Sequence, residues 1–168
     1  VYVHGDVYDE FVDLMVSKAS CLTAGSGVDD KFGPITMPGQ VDIIRRHVAD
    51  ALTRGGRALV GGADAVGDRV VGPTVLVDVP DDSSAMTEET FGPTVVITRV
   101  ASMDEAVDRA NDSHYALGAS VFSKARGMEL ASRIRSGMAS INSVVAFAGI
   151  AALPFGGVGD SGFGRIHG

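Results

Sequence analysis

Between positions 94 and 142 the sequence alternates between β-type runs and helical segments, and this alternation limits the folds open to the chain. The β-type runs are 94–100, 119–122 and 138–142, and the helical segments are 102–111 and 125–135. Strands that alternate with helices usually pair in parallel through right-handed crossovers. The pattern predicts an α/β fold, specifically a three-layer αβα domain with a mostly parallel sheet.

The first half of the chain contains two further helices with different apolar patterns. A strand is expected at 1–3, and Asp6 is expected to cap the helix after it. The apolar face predicted for this first helix consists of Val7, Phe11, Leu14 and Met15. After a loop over 23–38, the second helix has a predicted buried face of Val41, Ile44, Val48 and Leu52. The pair Gly55-Gly56 should end it, because glycine readily adopts positive φ.

Charge and composition exclude several classes of function. The 168 residues carry 14 Lys and Arg against 21 Asp and Glu, a net charge of −7, which repels phosphate backbones and anionic lipid. A single cysteine cannot form an internal disulfide, and no apolar run reaches the roughly 18 residues of a membrane helix. We therefore expect one cytoplasmic domain over 1–168, with no nucleic-acid partner and no membrane partner.

Histidine and cysteine do not form a metal-binding or nucleophilic pattern. The four histidines, His4, His47, His114 and His167, are too far apart in sequence for a helical metal pair. We interpret them as surface residues or as hydrogen-bonded core residues. Cys21 has no neighbouring base in the sequence, and a free cysteine of this kind is usually inert packing. The prediction is therefore no metal site and a buried Cys21.

The glycine-rich end of the sequence contains a motif that we interpret as structural. Gly157, Gly159 and Gly162 match the dinucleotide fingerprint G-x-G-x-x-G. A functional fingerprint begins a helix and is answered by an acidic residue about 20 positions later. This sequence supplies neither, so a tight turn that needs positive φ explains the glycines better.

The run Glu88-Glu89-Thr90-Phe91-Gly92-Pro93 places two carboxylates ahead of an aromatic residue and a turn. On composition alone, the two glutamates are solvated residues of a short helix and Phe91 belongs to the core. The neighbouring motifs offer a second, functional interpretation.

Several segments together resemble the NAD(P)-dependent aldehyde dehydrogenase family over nearly the whole chain. They are Val1-Tyr2-Val3-His4, Gly33-Pro34, the run 88–93, Ala110-Asn111, the run 117–122, Gly137, Ile141-Asn142 and the run 154–165. Each motif is modest alone, but this order and spacing are hard to produce by chance. The resemblance implies the C-terminal part of a catalytic domain, with the nucleotide-binding domain and the nucleophilic cysteine upstream and absent from this chain.

The resemblance also implies roles for four residues. Glu89 would hold the hydroxyls of the nicotinamide ribose, and Phe91 would lie against the nicotinamide end of the cofactor. Phe147 would face the aldehyde in a substrate tunnel, and Phe155 would lie near the mouth of that tunnel. No catalytic residue falls within the chain, and the cofactor, NAD or NADP, would be bound mainly by the absent upstream domain.

The activity implied by the resemblance is oxidation of a small-molecule aldehyde to a carboxylic acid with NAD(P)+. The reaction would pass through a thiohemiacetal and a thioester on the upstream cysteine, so the chain alone is expected to be inactive. The complete enzyme would be a homodimer or homotetramer. Two alternatives stay open: a non-catalytic interaction module that keeps the scaffold, and an acyl-reducing member of the same superfamily.

The substrate class is indicated by the run 144–153, which contains no charged residue. An uncharged lining favours an apolar aldehyde over a semialdehyde acid. The run 153–159 also resembles the subgroup that acts on aromatic and on medium- or long-chain aldehydes.

Overall fold

The computed structural model describes residues 1–144 and 146–167, and the chain divides into two compact units. The first unit is Val1–Val100 and the second begins at Ala101. None of the helices in the described part of the chain is long and apolar enough to cross a membrane.

The first unit is built on a four-stranded sheet. Its elements are β1 (Tyr2–His4), α1 (Gly5–Ser20), α2 (Pro38–Thr53), β2 (Arg57–Val60), β3 (Thr74–Val77), α3 (Ser84–Thr87) and β4 (Thr94–Val100). The strand order is β1-β4-β3-β2, in which β1 and β3 pair in parallel with β4 and β2 pairs antiparallel with β3. The α/β class and the mostly parallel pairing are thus confirmed.

Helices α1 and α2 cover opposite faces of this sheet. Successive side chains of a strand point to opposite faces, and β3 shows this directly. Val75 and Val77 pack in one core cluster with residues of α1, including Val12, whereas Leu76 packs in another with Ala51 of α2. The first unit therefore has the predicted three layers, helix on sheet on helix.

Helix α1 differs from its prediction at the cap and on its buried face. His4, not Asp6, is the N-cap, and its Nδ1 accepts a hydrogen bond from the Asp6 backbone N–H at 3.2 Å. The buried residues are Tyr8, Val12 and Ala19. Of the predicted face, Phe11 and Met15 pack against the core cluster, but Val7 and Leu14 are more than half exposed. Apolar residues occur around most of this helix. Periodicity alone therefore could not predict which side of α1 packs against the sheet.

Helix α2 confirms its predicted face and its predicted end. Val41, Ile44 and Val48 are at most 2% exposed, and Leu52 packs against the same cluster. The helix ends where predicted, with Gly55 at φ +101° just after the last turn. His47 is also buried on this helix.

Cys21 is exposed at the end of α1, so the prediction that it is buried is wrong. It is the C-cap residue, and its backbone N–H bonds the Lys18 carbonyl at 3.3 Å. At this point the chain leaves the core for the loop that follows. The general tendency of cysteine to be buried did not account for that position.

The second unit contains shorter elements. They are α4 (Met103–Asn111), β5 (Tyr115–Ala116), β6 (Gly118–Val121), α5 (Gly127–Arg133), β7 (Met138–Ile141) and β8 (Val158–Gly159). Strands β6 and β7 pair in parallel, as predicted, and β5 pairs antiparallel with β8. Ser102 caps α4, accepting the Glu105 backbone N–H at 3.1 Å.

The closing glycines form turns rather than a dinucleotide-binding element. Gly159, Gly162 and Gly164 have positive φ, which explains glycine at these positions. No helix follows Gly162 in the part of the chain that the structure describes. The structural interpretation of this motif is confirmed.

Candidate functional site

The turn that carries Glu89 and Phe91 connects α3 to β4 on the surface of the first unit. Glu89 is exposed, and Phe91 is 70% exposed, so the interpretation of Phe91 as a core residue is wrong. Within the described residues, no hydrogen bond or ion pair involves the Glu89 side chain. The turn therefore presents an unengaged carboxylate and a ring, two positions apart, to the outside of this unit.

Helix α2 holds the start of this segment through Asp50. The Asp50 Oδ2 atom accepts hydrogen bonds from the Ser83 hydroxyl at 2.7 Å and from the Ser84 backbone N–H at 2.8 Å. Its Oδ1 atom accepts one from Arg54 Nε at 2.7 Å. These hydrogen bonds hold the pKa of the Asp50 carboxyl well below its usual range, and the bond from Arg54 makes the largest contribution. The start of α3 is thereby tied to α2.

Helix α2 holds the end of the segment through His47 and Arg46. The His47 ring is 1% exposed, with Nδ1 at 2.6 Å from Thr90 Oγ1 and Nε2 at 3.3 Å from Glu88 Oε2. Arg46 donates from Nη1 and Nη2 to the two Glu88 oxygens, at 3.3 and 3.0 Å. The hydrogen bonds from the Arg46 guanidinium lower the pKa of Glu88, and the bond from His47 makes the next largest contribution. Both ends of the segment 83–90 are therefore fixed to one helix, α2.

The interpretation of the histidines as surface or hydrogen-bonded core residues is confirmed at His47, but its contact with the Glu88–Thr90 turn was not predicted. The signal in the sequence is a polar residue on the apolar face of α2, three positions after Ile44 and next to Val48. Such a residue needs a buried hydrogen-bond partner. Periodicity does not identify that partner, which lies more than 40 positions away in the chain. Among the described residues, no group of three or more His, Cys, Asp or Glu could hold a metal ion.

The Asp50 contacts predict a specific pH dependence of stability. An unfolded Asp has a pKa of about 3.9, and the folded value is lower. The contribution of Asp50 is therefore complete above about pH 4 and is lost only as the pH falls through the folded pKa. We expect Asp50→Asn to lower the Tm at pH 7, and the difference from wild type to narrow only below about pH 4.

Thermal unfolding followed by circular dichroism at pH 7, 5 and 3 measures this dependence. Asp13→Asn, an exposed position on α1, is the matched control and should match wild type at each pH. A difference between Asp50→Asn and wild type that already narrows between pH 7 and pH 5 would contradict the assignment.

Phe147 and Phe155 lie in the second unit. Phe147 is 7% exposed, and its ring lies directly over Gly118, where a Cβ atom would be 2.5 Å from Phe147 Cζ. Phe155 exchanges two backbone hydrogen bonds of 2.9 Å with Ile166, and its ring centroid is 6.2 Å from that of His167. Ile150 and Leu153, between the two aromatic residues, are 44% and 42% exposed. This stretch therefore combines a buried ring with an uncharged, partly exposed surface.

Comparison with known proteins shows which family the chain resembles. The model of the aldehyde dehydrogenase family matches residues 1–168. The chain belongs to the aldehyde dehydrogenase family. Within this family, it is 39% identical over 175 aligned residues to the "Putative succinate-semialdehyde dehydrogenase [NADP(+)] 2" of Mycobacterium ulcerans. That alignment covers 100% of the chain and 34% of the relative.

Two further similar proteins extend the comparison. The chain is 36% identical to a 4,4'-diapolycopene aldehyde oxidase of Methylomonas sp, over 100% of the chain and 32% of the relative. The crystal structure of aldehyde dehydrogenase 21 from Physcomitrella patens, in complex with the reaction product succinate, superposes with a TM-score of 0.90. It is 30% identical, over 98% of this chain and 34% of that one. The chain thus spans about a third of the length of the relatives that it matches.

Proposed function

We propose that this chain supplies the turn that binds the nicotinamide riboside of NAD(P)+ in an aldehyde dehydrogenase, which oxidises an aldehyde to a carboxylic acid. The observation that carries the proposal is Glu89, an exposed carboxylate with no partner among the described residues, on a segment that α2 fixes at both ends. Since the chain spans about a third of its relatives, the two units would belong to the catalytic domain, and the other two thirds of the enzyme would supply the remaining groups.

The residues on this turn fit the proposed cofactor. An ionised carboxylate only accepts hydrogen bonds and can accept two hydroxyl donors at once, and the 2′ and 3′ hydroxyls of a ribose are such a pair. The exposed ring of Phe91 offers an apolar face to a planar heterocycle. When bound, NAD(P)+ accepts a hydride from the substrate carbon. Glu89 and Phe91 would fix the position of the ring that receives it, which is an orienting role rather than a chemical one.

The choice between NAD+ and NADP+ rests on the name of a similar protein. The Mycobacterium ulcerans relative is named as an NADP(+) enzyme, so we propose NADP+ as the first cofactor to test. Aldehyde oxidation dependent on NADP+ or NAD+ by the complete enzyme supports the proposed function. Indifference to both cofactors would favour the interaction module, and production of an acyl-thioester or its reduction would favour the acyl-reducing alternative.

For the substrate, we propose an apolar aldehyde of the aromatic or the medium- to long-chain class. The described residues of the run 144–153 contain no charge, and Ile150 and Leu153 are partly exposed there. Phe147 would line the aldehyde tunnel and Phe155 its mouth. The Methylomonas relative is named 4,4'-diapolycopene aldehyde oxidase, and an aldehyde of a polyene hydrocarbon belongs to the apolar class.

Succinic semialdehyde is the second candidate substrate, because the Mycobacterium ulcerans relative carries it in its name. We expect the complete enzyme to use hexanal or benzaldehyde with a kcat/KM about tenfold above that for succinic semialdehyde, since an uncharged lining leaves the carboxylate of the semialdehyde unpaired. The three substrates should be compared at saturating NADP+. A clear preference for succinic semialdehyde would replace the proposed substrate class without affecting the cofactor assignment.

The assembly of the complete enzyme is a further part of the proposal. We expect a homodimer or a homotetramer, to be measured by sedimentation velocity of the complete enzyme. A monomer at micromolar concentration would contradict this expectation.

A further inference from the structure

The two residues that flank Glu89 in sequence are both bonded to the same buried ring. His47 Nδ1 lies 2.6 Å from the hydroxyl of Thr90, and Nε2 lies 3.3 Å from the carboxylate of Glu88. Glu89 itself has no such contact among the described residues. One imidazole therefore holds the residues immediately before and after the carboxylate that the proposed function assigns to ribose.

This contact pattern determines the direction of the Glu89 side chain. Glu88 has extended backbone, with φ −116° and ψ 160°, and successive side chains of extended chain point to opposite sides. With Glu88 and Thr90 bound toward α2, the residue between them is directed away from α2. The exposure of Glu89 agrees with this geometry.

The ring that holds the turn is buried. His47 is on α2 beside Val48 and three positions from Ile44, and these two neighbours are 1% and 0% exposed. The ring is 1% exposed and both of its nitrogens are within hydrogen-bond distance of the turn, so rotation to another rotamer would leave buried polar atoms without these partners. The turn is therefore bonded to a buried side chain rather than to a side chain on the surface.

We propose that His47 is a positioning residue for cofactor binding: it fixes Thr90 and Glu88 so that Glu89 is directed at the nicotinamide ribose. This inference rests on the proposed function. The Thr90 contact carries most of the effect, because it is the shorter one and because Glu88 is also held by Arg46. Loss of the ring nitrogens would allow the turn to sample other orientations and would weaken cofactor binding before any chemical step.

The test compares three substitutions in the complete enzyme. His47→Leu introduces an apolar side chain of similar size and removes both contacts. His47→Asn retains an amide near the position of Nδ1, and His47→Gln retains one near that of Nε2. We expect the Kd for NADPH, measured by fluorescence titration, to rise about fivefold in His47→Leu and His47→Gln and to stay within about twofold of wild type in His47→Asn. The KM for NADP+ should follow the Kd, with kcat at saturating cofactor unchanged.

A readout independent of activity is hydrogen exchange in the cofactor-free enzyme. The backbone amides of Thr87 and Glu88, which donate to the carbonyls of Ser83 and Ser84 at 3.0 Å, should exchange faster in His47→Leu than in wild type, because the contacts that hold this end of the segment are lost. The Ser84 amide, which donates to Asp50, should be unaffected. His114→Gln, at an exposed position, is the matched control for both measurements. If His47→Leu does not fold, the difference between His47→Asn and His47→Gln tests the same contact.

The outcomes separate this inference from the function on which it rests. If Glu89→Gln weakens NADPH binding but the His47 variants bind NADPH as wild type does, the positioning role is overturned and the proposed function stands. If Glu89→Gln has no effect on binding, the proposed function fails, and with it the role of His47 in cofactor binding. Unchanged exchange of the Thr87 and Glu88 amides in His47→Leu overturns the structural basis of the inference in either case.

Discussion

Glu89→Gln is expected to raise the Kd of the complete enzyme for NADP+ about thirtyfold, because an amide replaces the charged acceptor of two ribose hydroxyls by a weaker, neutral one. The substitution is nearly isosteric and the side chain is exposed. The free energy of unfolding should therefore stay within about 0.5 kcal/mol of wild type. The loss would appear in cofactor binding and not in the amount of folded protein.

Isothermal titration with NADP+ measures the Glu89 effect directly. Glu10→Gln, which changes an exposed glutamate on α1, is the matched control for the loss of one negative charge. It should leave the Kd within about twofold of wild type, since surface substitutions away from a site have small effects. Equal affinities for wild type, Glu89→Gln and Glu10→Gln would remove the proposed role of Glu89.

Gly137→Ala is expected to destabilise the second unit by about 3 kcal/mol, the upper range for forced overpacking. A Cβ atom at Gly137 would overlap the carbonyl oxygen of Gly156 and would lie 2.8 Å from its carbonyl carbon and 3.0 Å from Gly157 Cα. All three are backbone atoms, so no side-chain rotation can relieve the contact. The loop that carries Phe155 would have to move away from the start of β7.

Urea unfolding of the 168-residue chain, followed by circular dichroism, measures this destabilisation. Gly39→Ala is the matched control, because Gly39 lies in the first turn of α2 and a Cβ atom there would meet nothing within 4 Å. Alanine at that helical position should leave stability unchanged or raise it by about 0.5 kcal/mol. Equal unfolding midpoints for Gly137→Ala and wild type would show that the backbone of Gly156 and Gly157 does not approach Gly137 as closely as described.

Elements with a clear period could be predicted from the sequence. Strand β4 has the predicted bounds 94–100, and α2 packs the predicted residues against the core. Six of the seven residues of β4 are β-branched, and α2 has four apolar residues at helical spacing, so each pattern identifies one structure. Strands β5 and β8 contain two residues each, which is too short to show any alternation. The buried face of α1 was predicted only in part, because apolar residues occur on several faces of that helix: Phe11 and Met15 pack against the core cluster, whereas Val7 and Leu14 are exposed.

Part of the candidate site is a local sequence motif, which the sequence predicts, and part is a set of tertiary contacts, which it does not. The motif around Glu89 and Phe91 could be identified from its residues alone, since the spacing is local. The contacts that hold it could not, because His47 and Asp50 bond residues that are 33 to 43 positions away in sequence. The position of Cys21 was mispredicted because a residue-type tendency carries no information about where a helix leaves the core.

The most direct test of this account is the structure of the complete enzyme with NADP+ bound. We predict that the two carboxylate oxygens of Glu89 lie about 2.7 Å from the 2′ and 3′ hydroxyls of the nicotinamide ribose. The side chains of Glu88 and Thr90 should remain bonded to His47. A complex in which the Glu89 carboxylate contacts only water while another residue binds both hydroxyls would contradict the account.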